Sequence, residues 1–118
     1  MNRSAATVDD SIPMLDAETF RAIVLGREGR VAVEFMSSGC GYCRAIEPVL
    51  QQVARLVAGD ETIVRINIAA DPAPAEEFRI GGTPTFVMFL NGQEVGRAEG
   101  PSPTISAVAD AVTGPFVS

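Results

Sequence analysis

Residues 30–68 read as strand, helix, strand, and that succession constrains the fold more than anything else in the chain. Residues 30–36 (Arg-Val-Ala-Val-Glu-Phe-Met) have the β-branched and aromatic character of a strand. Val31, Val33 and Phe35 then share one face, and Ala32, Glu34 and Met36 the other. From about residue 40 to 57, Ile46, Val49, Leu50, Val53 and Val57 fall on one face of a helix. Pro48 inside it predicts a kink, and Gly59 its stop. Residues 63–68 form a second strand. Two strands joined by so short a helical connection are parallel neighbours with a right-handed crossover.

The flanks complete an α/β pattern. Asp16 is a good helix cap, and a first helix is predicted from there to about Leu25, with Phe20, Ile23 and Val24 buried and the 26–29 segment ending it. A serine is the candidate cap for the helix that starts near Cys40. After a loop opened by Asp71-Pro72, a short helix is expected over 75–79. Gly81-Gly82-Thr83-Pro84 is a strong breaker, and residues 85–90 are almost wholly apolar, as in a strand covered on both faces. Asn91-Gly92 predicts a two-residue hairpin returning over 93–98. Ile105, Val108, Ala109 and Val112 mark the buried stripe of a last helix. Residues 1–11 are expected to be a flexible lead-in, with 12–118 as one domain.

Composition removes most catalytic chemistry. The 118 residues include no His and no Trp, and all nine basic residues are Arg. No Ser-His or Cys-His pair, His-based zinc site or phosphate-loop lysine is therefore available. A formal charge of −6 with singly scattered arginines argues against a nucleic-acid partner. No apolar run reaches the ~18–20 residues that span a bilayer, so no membrane association is expected. The polar start of the chain predicts a cytoplasmic protein, or a periplasmic one if a leader has been removed.

What survives is Cys40-Gly41-Tyr42-Cys43 at the strand-to-helix handover. Residues three apart on a helix share a face, so the two sulfurs can close a small disulfide ring. The helix N-terminus stabilises a thiolate, which makes Cys40 the exposed nucleophile and Cys43 the resolving thiol. Two other readings stand beside this one: half of a metal site, which would need carboxylates or a second chain to complete it, and a pair of inert buried thiols.

Val33-Glu34-Phe35, Cys40-Gly41-Tyr42-Cys43-Arg44, Pro48 and Gly82-Thr83-Pro84-Thr85-Phe86 together resemble the thioredoxin family. The resemblance implies the thioredoxin fold: a central mixed sheet, one half a parallel βαβ unit and the other an antiparallel hairpin, flanked by helices. It implies that Cys40 attacks and Cys43 resolves. Pro84 matches a cis-proline facing the disulfide, and Thr83 the residue whose backbone pairs with a substrate strand. Gly100 matches a groove-lining glycine, and Glu34 a buried aspartate that relays the proton of Cys43. Plainer roles stand beside these. Pro84 could open a strand in the trans form and Gly100 could only make a turn. Tyr42 could be an exposed aromatic rather than a substrate contact. Glu34 could face solvent or pair with Arg65.

The resemblance has gaps. Gly39 stands where the family carries tryptophan, Met36 at an upstream aromatic position, and Tyr42 in place of proline. Cys-Gly-Tyr-Cys with Thr83 is locally similar to bacterial periplasmic disulfide isomerases. A backbone N–H at Tyr42, which proline would lack, favours the thiolate and predicts a couple less reducing than thioredoxin, between about −270 and about −180 mV. The leading expectation is a monomeric thiol–disulfide oxidoreductase acting on disulfide-bearing proteins, with no cofactor beyond the Cys40–Cys43 couple. It would be recycled by a flavoprotein reductase or glutathione. An isomerase or oxidase-like variant and a non-enzymatic binding or chaperone module are the alternatives.

Overall fold

The β-branched run Arg30–Met36 forms the central strand, β2, of a five-stranded sheet in a computed structural model that describes residues 12–116. Strand β1 (Met14–Leu15), a capped first turn α1 (Ala17–Phe20) and a π-helical turn (Arg21–Leu25) precede it. Helix α2 (Gly41–Leu56), β3 (Ile63–Asn67), α3 (Ala73–Glu77), β4 (Thr85–Leu90), β5 (Gln93–Glu99) and α4 (Ile105–Thr113) follow, with a closing 3-10 turn at Gly114–Phe116. The strand order is β1-β3-β2-β4-β5. β3 runs parallel to both β1 and β2, and β4 runs antiparallel to β2 and β5. This is the mixed sheet the sequence predicts, with a parallel βαβ half and a hairpin half.

Alternation in β2 divides the core into two layers. Val31, Val33 and Phe35 pack with Phe20, Val24, Val87 and Phe89 on the α1 and α3 side. Ala32 packs with Ile46, Leu50, Val53, Phe86, Val108 and Val112 beneath α2 and α4. A polar residue on the second face of β2 is therefore covered by helices. Glu34 is that residue. Asn91 (φ +52°) and Gly92 (φ +81°) form the β4–β5 turn, as the Asn-Gly pair predicts. A side chain at Gly92 would collide with the Leu25 carbonyl.

Several local expectations need correction. Ile23 is exposed, not buried. The Arg21–Leu25 turn is π-helical, so a full turn takes more residues and Val24 rather than Ile23 comes to lie over Phe20. The helical segment near 75–79 begins earlier, at Ala73, because prolines at its start have a backbone torsion already suited to a first turn. On α4 the buried positions are Val108, Ala111 and Val112, while Ile105 is exposed because it opens the helix. The cap of α2 is Cys40 and not a serine. Strand β1 and the 3-10 turn have no counterpart in the sequence reading. The expected lead-in, residues 1–11, lies outside the described residues. Helix α2 runs unbroken through Pro48.

Candidate active site

Strand β2 ends at Met36, and the chain turns through Ser37, Ser38 and Gly39 into α2, so Cys40 stands at the helix N-cap. Its sulfur takes the place of the usual cap oxygen, accepting the Cys43 N–H at 3.0 Å. In its thiol form it also donates to the Thr83 carbonyl at 3.5 Å. Burial pushes the Cys40 thiol up, but hydrogen bonds from the Cys43 thiol, from Thr83 and from the Cys43 and Tyr42 N–H groups outweigh it. The net result lies below the ordinary thiol value. Cys43, one turn in, is buried. Its own burial, and then its hydrogen bond to Cys40, push it up to about 11. One sulfur is thus prepared to ionise and the other to keep its proton.

Four of the sequence-derived candidates border a groove of about 480 Å³ or stand at its rim. Thr83, Pro84 and Gly100 line it, together with Gly82, Thr85 and Glu99. The Thr83–Pro84 peptide is cis, as the resemblance implies. Gly100 has φ +52° and donates its N–H to the Pro84 carbonyl at 2.9 Å, so both the groove and the turn reading describe it. Tyr42 is partly exposed, and its hydroxyl donates to the Pro101 carbonyl at 2.7 Å, tying the tip of α2 to the loop after β5.

Glu34 is 1% exposed. The reading in which it points to solvent is therefore wrong, because helices cover that face of the sheet. The Arg65 reading is met: the two residues are in register on β2 and β3, with Arg65 Nε 3.8 Å from Glu34 Oε1. Among the described residues that oxygen has no hydrogen-bond donor. Burial pushes Glu34 up to about 7 against the pull of Arg65, with Glu47 adding to the rise. Arg65 also holds Glu47 on α2 at 2.8 Å. Cys43, Glu47 and Arg65 meet Met36, Ser37 and Arg44 around a second cleft of about 200 Å³.

Sequence reasoning missed Glu47. The signal was available: it lies four residues after Cys43, on the same helix face. Glu99, which brings a carboxylate to the groove lining, was missed as well. Among the described residues no three metal-ligating side chains cluster, and no helix is long and apolar enough to cross a membrane.

The family model described as Thioredoxin matches residues 11–112. The chain belongs to the thioredoxin family. It is 31% identical over 105 residues to the thioredoxin of Mycobacterium tuberculosis (strain ATCC 25618 / H37Rv), covering 86% of this chain and 90% of that one. It is 35% identical over 97 residues to the protein disulfide isomerase-like 2-1 of Oryza sativa subsp. japonica. That match spans 80% of this chain but 26% of the rice protein. Thioredoxin M5, chloroplastic, from the same plant is 32% identical over 107 residues, 89% of this chain and 62% of its own. Against the thioredoxin pattern the rim of this site is altered. Gly39, in the tryptophan position, is exposed and carries no side chain, and Met36 is half-buried beside the second cleft.

Proposed function

We propose that this chain is a thiol–disulfide oxidoreductase that reduces or exchanges disulfides in protein substrates through Cys40 and Cys43. The observation that carries the proposal is the division of labour between the two sulfurs: Cys40 accepts hydrogen bonds at the start of α2, while Cys43 keeps its proton. The Cys40 thiolate attacks one sulfur of the substrate. The substrate S–S bond breaks, a mixed disulfide forms, and the first substrate sulfur leaves as a thiolate that takes a proton from water. Cys43 then gives its proton to the Glu34 carboxylate. The resulting thiolate attacks Cys40 Sγ, closing the Cys40–Cys43 disulfide and releasing the second substrate thiolate. Two electrons pass to the substrate. Return to the dithiol draws two electrons from a flavoprotein reductase or glutathione, a supply that a reducing compartment such as the cytoplasm maintains.

The groove beside Cys40 suits an extended polypeptide. Thr83 offers backbone pairing, Pro84 and Gly100 leave a low floor, and Tyr42 forms the rim. An insulin-reduction assay tests the proposal: the wild-type chain turns over with dithiothreitol as electron source, and Cys40→Ser does not. Equal rates for the two would refute it. An isomerase reading is favoured by one specific feature, the Tyr42 N–H among the donors to Cys40, which raises the oxidising power of the couple. Refolding of a scrambled disulfide protein separates it from simple reduction.

A further inference from the structure

Arg65 stands between two carboxylates and treats them unequally. On the surface side its NH2 group hydrogen-bonds Glu47 Oε2 at 2.8 Å, and Gln51 donates to the same oxygen at 2.8 Å. On the inner side its Nε reaches Glu34 Oε1 only at 3.8 Å, without a hydrogen bond. The arginine side chain is 8% exposed, Glu34 1% and Glu47 34%, so the three form a line from the interior to solvent. Cys43 opens onto the same cleft as Arg65 and Glu47.

An arginine keeps its charge throughout the accessible pH range. Hydrogen-bonded to Glu34, it would hold that carboxylate permanently ionised and make it a poor proton acceptor. Among the described residues around this cleft one other charge is present, Arg44 of α2, whose guanidinium donates to the Ser38 carbonyl at 3.3 Å. Helix α2 supplies Cys43 and Glu47, β4 places Phe86 in register with Glu34, and α4 packs apolar Val108, Ala111 and Val112. Among the described residues, Glu47 is the carboxylate that shares the guanidinium with Glu34.

We propose that Glu47 is a positioning residue for the proton step: by holding Arg65 at the mouth of the cleft, it leaves Glu34 free to take up the Cys43 proton and return it to solvent. This rests on the oxidoreductase reading, and its test is read without substrate. The glutamate carboxyls of the reduced protein, labelled with carbon-13, are titrated by NMR in the wild type and in Glu47→Gln. The substituted side chain keeps an oxygen for Gln51 and Arg65 but loses the charge. Arg65 then turns toward Glu34, whose midpoint falls by about one pH unit. The pH limb of mixed-disulfide resolution moves down with it, while the first attack by Cys40 on a small aromatic disulfide keeps its rate. A Glu34 midpoint and a resolution limb that both stay in place overturn the proposal. Glu47 lies at the surface, so the variant folds, and an unchanged amide spectrum away from α2 and β3 checks this. Should the wild type fail to reduce insulin while the midpoint still moves, the activity falls and the coupling of Glu47 to Glu34 stands.

Discussion

Replacing Glu34 by Gln in the reduced protein isolates the cost of a carboxylate held under two helices. Glu34 rises from its ordinary 4.5 to about 7 on folding, chiefly through burial. Ionising it in place therefore costs about 3 kcal/mol, a large share of a typical domain's 5–15 kcal/mol. The sign follows from linkage. With its midpoint raised on folding, the native state binds more protons than the unfolded chain between 4.5 and about 7. The group's favourable share is complete below 4.5 and is lost as pH rises through about 7. A glutamine side chain has nearly the same volume and never ionises. The substitution leaves Arg65 its closer partner, Glu47 at 2.8 Å, and removes only the 3.8 Å contact. Urea unfolding of both proteins at about pH 4, 7 and 9 gives the two curves at matched m-values. Their difference cancels every titration they share, the cysteines included. Glu34→Gln should match the wild type at the acid end and exceed it by up to about 3 kcal/mol at the alkaline end. Two parallel curves would show that Glu34 titrates at its ordinary value, and the reasoning from burial would fail.

The couple should lie between about −270 mV and about −180 mV when equilibrated against glutathione, and Tyr42→Pro should lower it by removing one donor to Cys40. A wild-type value below about −270 mV would contradict the reading of that N–H. Tyr42→Phe removes the hydroxyl bond to the Pro101 carbonyl and should cost about 0.5–1 kcal/mol in urea unfolding, the low end because the ring is partly exposed. A larger loss would mean that the bond anchors the loop after β5.

Elements with local signals were legible from the chain. The 3.6-residue stripe of α2, the alternation of β2 and the Asn91-Gly92 turn each rest on neighbours in sequence, and each appears where its pattern puts it. The reactive pair was legible for the same reason, since Cys40 and Cys43 are one helical turn apart. Other features needed contacts between distant segments. A two-residue strand such as Met14–Leu15 has no periodicity, and it exists because the edge of β3 is there to pair with it. Ile23 carries an apolar side chain, yet the π turn carries it away from the core. The capping sulfur of Cys40 depended on how the 37–39 turn enters the helix. Most consequential is Glu34. The sequence placed a carboxylate in an apolar strand and left solvent, Arg65 and burial all open. Only the packing of α2 and α4 over that face, with Arg65 drawn toward Glu47, turns the same side chain into a buried acid that titrates near neutrality. Charges acquire their chemistry from neighbours distant in sequence, because desolvation and Coulomb attraction act through space.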